Sequence, residues 1–494
     1  MTDAEQEQQP DTQPSPDQLV QERRAKADRL REEGIEPYPH SFPGVTPVAD
    51  IHAAHDDLEA GEETPDSYRV AGRLTARRGH GKAAFLDLVD RSGRMQLHAR
   101  KDVLGDESLE RLLHLDLGDL IGIDGTAFKS RRGELSLRVD DWQLLAKSLR
   151  PPPEKFHGLE DVETRYRQRE LDLMANEETR QLFILRSRVI AAIRRWLDER
   201  GFLEVETPVL QPLYGGALAR PFTTHHNQLD KDLYLRIATE LYLKRLIVGG
   251  MEKVYELGKD FRNEGVSHKH NPEFTMLEWY EAYKDYNDIA DALEALVAYV
   301  ASEVGYEGDI DWSTPWRRVT LRDAILEKTG VDVLAHRDRD ALVAAARDNG
   351  IQLDPNDVWP TAVDELLSKY VEPELKDPTF VMDYPVELSP FAKKHRSEPG
   401  LVERFECFAG GMEFANAFTE LNDPDDQRAR FEEQKRQTAE GDEETQPYDE
   451  DYVRALEHGM PPTGGIGIGI DRLVMLLAGK STLREVILFP AMRT

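Results

Sequence analysis

Between Tyr68 and Ser148 the chain reads as a run of short extended segments cut by glycine turns: YRVAGRLTARR, AAFLDLVDRSG, RMQLHARK, LIGIDGTAFKS and ELSLRVDDWQLLAKS. Several short strands with turn signals at regular spacing predict a small barrel. The stretch from Ser67 to Arg150 carries 16 Lys+Arg against 12 Asp+Glu, inside a chain whose formal charge is −31. Phosphate backbones reward lysine and arginine, so a basic segment in an acidic chain is a candidate nucleic-acid surface. Ordinary charge scatter would read the same way.

One small barrel, the OB-fold, presents a strand face to single-stranded nucleic acid. Here the barrel is expected over residues 66–150, with Pro151-Pro152-Pro153 as a stiff boundary behind it. Ahead of it, residues 1–16 are polar and proline-bearing and are expected to be disordered. Residues 17–60 read as a helical extension, whose amphipathic helix from Pro16 to Glu33 stops at Gly34. The start of the chain has neither a basic opening nor an apolar stretch, so it is no secretory signal. No apolar run of about 18 residues occurs, which argues against a transmembrane helix. A single cysteine, Cys407, excludes an internal disulfide and any multi-cysteine metal site. A cytoplasmic protein with no membrane attachment is the expectation.

Residues 164–494 read as a larger α+β domain. QLFILRSRVIAAIRRWLDERG is a long helix ending at Gly201, and FLEVETPVL is a strand that meets Pro208. Further strands are expected at DLYLRIA, KVYELGKDF, FTMLEWYEAY, RFECFAGGMEFANAF and GGIGIGI, with a helical insertion around 288–368.

Three constellations carry chemistry. The first runs from Tyr255 through Arg262, Glu264, His270, Asn271 and Phe274 to Glu278 and Tyr280. Side chains alternate along a strand, so Arg262 shares a face with Glu264, and Glu278 with Tyr280. Two such strands joined by a loop put an arginine, carboxylates and aromatics on one floor; a surface hairpin facing water would read alike. The second holds Glu406, Glu413, Asn416 and Glu420. Carboxylates seven apart on a bent strand pair suit magnesium held against phosphates, although two solvent-facing glutamates have the same spacing. In the third, Gly464-Gly465-Ile-Gly467-Ile-Gly469-Ile-Asp471-Arg472, glycines allow close approach to the strand and an arginine opens the following helix, where it suits a phosphate. Ile470 stands where a dinucleotide fingerprint needs glycine. Gly479-Lys480-Ser481 is no P-loop, because Val474 takes the first glycine's place and the run follows an apolar helix rather than opening one.

In this order, the helix leading to Pro208, the Phe261-Arg262-x-Glu264 strand and the glycine strand ending at Arg472 resemble the three motifs of class II aminoacyl-tRNA synthetases. GGALARPFTTHHNQLDKDLYLRIATELYLKRLIVGG and HNPEFTMLEWYEAYKDY look specifically like the bacterial-type lysyl branch. The resemblance covers about Asp17 to Pro490. It departs at Lys269, where arginine is expected, and at Leu218, where alanine is common.

The resemblance implies a five-stranded OB-fold barrel that binds the anticodon. It also implies a catalytic domain built on a mainly antiparallel sheet flanked by helices, and a homodimer. It implies a tRNA ligase that uses ATP, L-lysine and lysine tRNA. Glu278, Tyr280 and Glu420 would then hold the lysine side-chain ammonium, Glu240 and the Gly216 backbone the α-ammonium, and Arg262 and Asn416 the carboxylate. Phe274 and Arg472 would sandwich the adenine, with Glu264 at its amino group and His270, Asn271 and Arg472 at the phosphates. Arg262 and Arg472 would be catalytic, and Glu406 and Glu413 would coordinate Mg2+. In the barrel, Phe85 and Gln96 match the positions that meet the anticodon's central uridine, with Arg77 and Arg78 expected at phosphate. A protein-directed ligase of the same fold would lack the barrel. A non-catalytic paralogue would lose Arg262, Glu406, Glu413 or Arg472, and all four are present.

Overall fold

The computed structural model describes residues 15–79, 81–153, 159–354, 358–439 and 447–492. The chain divides into two compact units, Met1–Leu159 and Glu160–Thr494. Of the tail expected to be disordered, all but Ser15 and Pro16 lies outside the described residues. Ser15 caps the helix Pro16–Glu32 in a reciprocal capping box with Gln18.

In the first unit, strands β1 (Glu63–Arg78), β2 (Ala83–Val89), β3 (Arg94–Arg100), β4 (Leu120–Lys129) and β5 (Leu135–Ala146) close a barrel in the order β1-β2-β3-β5-β4. Closure leaves no free edge, which is how a small all-strand domain avoids pairing with other chains. Alternation decides its two faces: Leu86, Leu88, Met95 and Leu97 point into the core, and Phe85, Gln96 and His98 point out. A helix that the strand pattern does not announce, Asp106–His114, buries Leu109 and Leu112 in the same core.

The second unit is organised by a sheet of eight described strands. These are β6 (Leu203–Glu204), β10 (Lys253–Phe261), β11 (Glu273–Ala282), β12 (Arg317–Thr320), β13 (Thr379–Pro385), β14 (Leu401–Ala409), β15 (Met412–Thr419) and β16 (Thr463–Gly469). Their order is β12-β13-β14-β15-β16-β11-β10-β6. Pairing is antiparallel except at the two ends, where β12 runs parallel to β13 and β6 to β10. A smaller sheet pairs β7 (Leu210–Gln211), β9 (Lys231–Leu235) and β8 (Thr223–His226). The helix Glu177–Asp198 and the helix Tyr286–Val304 seal one core, with Trp196, Leu293 and Val297 against Tyr255, Trp279 and Phe405.

Three local outcomes differ from the sequence pattern. FLEVETPVL is two short strands and not one, because Thr207 turns its backbone N–H to the Glu256 carboxylate and Pro208 has none to offer. RFECFAGGMEFANAF is a hairpin, turning at Gly410 and Gly411, both at positive φ. The stretch 288–368 is largely helical, but its first helix belongs to the main core and it returns β12 to the sheet edge. No helix among the described residues is long and apolar enough to cross a membrane.

Candidate active site

Sheet register lays out the floor of a cavity of about 310 Å³. Glu278 on β11, Gly467 on β16, Asn416 on β15 and Glu406 on β14 are successive cross-strand partners and form one row. Tyr280, Gly465, Phe418 and Arg404 form the next. Because side chains alternate, both rows face the same side. Gly465 leaves the hollow: a Cβ there would overlap the Glu420 carboxylate and the Tyr280 ring.

One end of the cavity is a cluster of buried acids. Glu240, at the start of the helix Glu240–Val248, lines it with Glu278, Tyr280 and Glu420. Tyr280 Oη donates to Glu278 Oε2 at 3.1 Å, and the Thr239 N–H donates to Glu278 Oε1 at 3.2 Å. Burial, reinforced by Asp260 and Glu240, pushes the Glu278 carboxyl up to about 8. Burial also raises Glu420, against the pull of Lys244. Lys244 lies behind this wall, fully buried, with Nζ 2.5 Å from Glu240 Oε1 and 2.6 Å from Glu420 Oε2. The second contact is close but not aligned as a hydrogen bond. Glu420 Oε2 is nonetheless paired with this ammonium, and Glu420 Oε1 has no hydrogen-bond partner among the described residues. Sequence reading missed Lys244; its spacing of four from Glu240 on a helical stretch was the available signal.

The other end is cationic. Arg262, Lys269, His270 and Arg472 all line it, with Glu264, Asn271 and Phe274. Arg262 follows directly on β10, reaches the Ile237 carbonyl at 3.4 Å and lies 5.1 Å above the Phe274 ring. The sequence had Arg472 as that ring's counterpart, but here Arg472 binds the Glu413 carbonyl at 2.7 Å, its carboxylate at 2.9 Å and His270 Nε2 at 3.4 Å. Asp471 aims it: its carboxylate takes the Thr275 N–H at 2.7 Å and pairs with Arg186 at 2.6 Å, pinning the helix Ile470–Leu477 to β11. The His270 ring is accessible by area, yet the protein crowding it, together with Arg472 and Lys269, lowers its proton affinity. Asn271 is less free than expected, since its side chain bridges the Glu273 carbonyl and the Ala491 N–H.

Glu413 reaches the cavity; Glu406 stands one layer back, accepting from Tyr384 Oη at 2.9 Å and from Arg404 at 2.5 Å. Burial raises Glu406 to about 7, Arg404 opposing and the nearby Glu413 adding to it. Both carboxylates are hard oxygen donors of the kind a divalent cation takes, and each is paired here with an arginine, Glu406 with Arg404 and Glu413 with Arg472. Arg404, which the sequence did not single out, also holds Asn416 at 3.2 Å and so orients a cavity side chain.

On the barrel, Phe85 stacks on His98 at 4.6 Å with planes 7° apart, and His98 meets Phe128 at 5.8 Å. Gln96 Nε2 donates to Glu134 at 3.1 Å and its carbonyl accepts from Ser136 at 3.1 Å. Arg78 pairs with Asp87 at 3.0 Å beside this platform. Arg77, exposed on the barrel, uses one guanidinium nitrogen on the carbonyls of Leu113 and Leu115.

Residues 161–493 match the family described as tRNA synthetases class II (D, K and N), and residues 68–145 match the OB-fold nucleic acid binding domain. Among similar proteins, the lysine–tRNA ligase of Carboxydothermus hydrogenoformans is 51% identical over 484 residues, covering 96% of this chain and 98% of its own. That of Moorella thermoacetica is 53% identical over 482 residues, with the same two coverages. That of Synechococcus sp. is 52% identical over 484, covering 96% and 99%.

Proposed function

This chain belongs to the class II tRNA synthetases, in their lysine–tRNA ligase branch, and we propose from that premise how its cavity works. It activates L-lysine with ATP to lysyl-adenylate, releases pyrophosphate, and transfers lysine to the 3′ end of lysine tRNA. The observation that carries the residue assignment is Glu420 Oε1: it belongs to a fully buried carboxylate at the cavity wall and has no hydrogen-bond donor among the described residues. A buried acceptor left unmet costs free energy that a substrate ammonium recovers.

Glu278, Tyr280 and Glu420 take the lysine side-chain ammonium, Glu240 and Gly216 the α-ammonium, and Arg262 and Asn416 the carboxylate. ATP lies at the cationic end, its adenine against Phe274 near Glu264, its phosphates toward His270, Asn271 and Arg472. The lysine carboxylate is ionised at neutral pH, so attack on the α-phosphorus requires no general base. Holding the two reactants in line contributes roughly 7–11 kcal/mol at best. Arg262 offsets charge that grows on the phosphoryl oxygens. Glu406 and Glu413 would hold Mg2+, which supplies charge neutralisation at the phosphates when bound. The tRNA terminal hydroxyl then attacks the mixed anhydride.

On the barrel, the anticodon's central base stacks on Phe85, and Gln96 reads its edge. The chain works as a homodimer in this reading, and Ile184 on the helix Glu177–Asp198, Leu203 and Leu210 are exposed apolar side chains that a partner could cover. The reaction belongs in the cytoplasm, where translation consumes charged tRNA. Amino-acid-dependent ATP–pyrophosphate exchange tests the reading. Exchange with lysine, and none with aspartate, asparagine or no amino acid, is expected; exchange with aspartate overturns the pocket assignment.

A further inference from the structure

Three carboxylates, Glu240, Glu278 and Glu420, line the acidic end of the cavity, and one ammonium, Lys244, lies behind them. We propose that Lys244 is a specificity-determining residue: a resident cation that cancels one of the three charges, so that the wall left over carries two and fits a ligand with two ammonium groups. The inference rests on the reading of this cavity as the lysine site.

The geometry separates Lys244 from the wall it serves. Its side chain has no exposed area and does not line the cavity, whereas both of its carboxylate partners do. It cannot act as a substrate contact, only through Glu240 and Glu420. Among the described residues, Glu240 and Glu420 are the carboxylates it pairs with. The helix Glu240–Val248 presents Glu240 to it, the end of β15 presents Glu420, and the helix Glu450–Glu457 presents the Tyr452 ring 6.0 Å away. The remaining neighbour, Phe391 at 5.3 Å, is apolar. Despite burial, Glu240 and Glu420 hold its proton affinity well above the ordinary lysine value, so it stays charged.

A second set of charges lies on β10, where Glu256 is the cross-strand partner of Glu278 and continues its row. Arg236 pairs with Glu256 and with Asp260 at 3.1 Å, and Arg262 faces Asp260. Two acids and two guanidiniums balance there. Asp260 nevertheless raises Glu278 through space, as does Glu240. Without a ligand the wall therefore favours protons on its carboxyls, and a diammonium ligand displaces them. Removing the Lys244 charge leaves Glu240 and Glu420 holding protons more tightly, in direct competition with the ligand.

The experiment is the pH profile of the lysine KM in ATP–pyrophosphate exchange, for the wild-type enzyme and for Lys244→Met, a neutral replacement of similar length. For the wild type the lysine KM should fall as pH rises toward 8. For Lys244→Met the KM at pH 7 should rise by about tenfold or more, since one unit of proton affinity is worth a factor of ten. That excess should shrink at pH 9, and the ATP KM should be unchanged. A KM raised by the same factor at every pH, or not raised at all, makes Lys244 a packing residue and overturns the proposal. If the variant does not fold, calorimetry of lysine binding to the wild type in two buffers of different ionisation heat decides. Net proton release at pH 7 supports the proposal, and none overturns it. A wild type showing no lysine-dependent exchange would sink the functional reading as well, an outcome distinct from failure of the Lys244 profile alone.

Discussion

The Arg236 guanidinium lies across the backbone of Gly258, so close that a Cβ at that position would overlap its Nη2. That end of Arg236 is not free to swing aside. It is held by the Lys259 carbonyl at 2.9 Å, the Thr207 carbonyl at 3.2 Å, the Glu256 carboxylate and Asp260. Gly258→Ala is therefore expected to lower unfolding stability by roughly 1–3 kcal/mol, the usual cost of overpacking. Denaturant unfolding of the variant checks this, and a midpoint equal to wild type would mean that the arginine is free to move.

Arg262 stands over Phe274 at the cationic end of the cavity, where the proposed mechanism has it meet both the substrate carboxylate and the α-phosphate. Arg262→Ala should reduce adenylate formation to well under about a tenth of wild type, because it removes both a contact to the substrate carboxylate and charge stabilisation that grows as the transition state forms. Pyrophosphate exchange measures it directly, and activity above that level would end the assignment.

Gly465→Ala tests the hollow in the floor. The added methyl would press on Glu420 and Tyr280 while leaving Phe274 and Arg472 untouched. An overpacking cost of roughly 1–3 kcal/mol should appear as about a tenfold to hundredfold rise in the lysine KM, with the ATP KM unchanged. A rise in both constants would point to general damage to the sheet.

Phe85→Ala should separate the two halves of the reaction. Loss of one stacked base is worth about 1–3 kcal/mol, so tRNA charging should fall by roughly tenfold to a hundredfold in kcat/KM. Pyrophosphate exchange, which needs no tRNA, should stay at the wild-type rate. Equal charging by the variant would return Phe85 to a packing role beside His98.

Asp172 links acid sensitivity to the fold. It is fully buried and accepts from Arg165 at 2.9 Å, Arg169 at 2.6 Å and Asn176 at 2.6 Å. Burial works to raise its proton affinity, but these donors outweigh burial and hold the carboxyl below the usual range. A carboxyl depressed in the folded state stabilises fully above its unfolded value of about 3.9 and loses that contribution as pH falls further. The wild type should lose stability below about pH 4, and Asp172→Asn should be less stable at neutral pH with a flatter acid limb. Unfolding midpoints between pH 2.5 and 7 report both, and parallel acid limbs would remove Asp172 from the account.

The residues of the site were legible in the sequence to the extent that local pattern carries them. Period-two spacing put Glu278 with Tyr280 on a shared strand face, and the glycines of GGIGIGI announced a surface that something approaches closely, whereas Arg262 and Glu264, expected to share a strand face, lie in the loop beyond the end of β10 at Phe261. What no spacing expresses is which strands are neighbours. Glu278 and Asn416 are far apart in sequence but share a row because β16 pairs with both of their strands. Arg77 shows the same limit from the other side: one of its guanidinium nitrogens meets the carbonyls of Leu113 and Leu115, at the end of a helix that the strand pattern did not foretell.

By itself, then, the order of residues determined the two-part chain, the strands of the barrel, the helix leading to Pro208 and the identity of most cavity side chains, since each depends on neighbours a few positions away. Only the tertiary structure decided how charge is shared. It placed Lys244 behind Glu240 and Glu420, Arg236 between Glu256 and Asp260, and Arg404 between Glu406 and Asn416. The physical reason is that a buried charge is tolerated only beside a partner, and partners are chosen by proximity in space, which the sheet register and helix packing set.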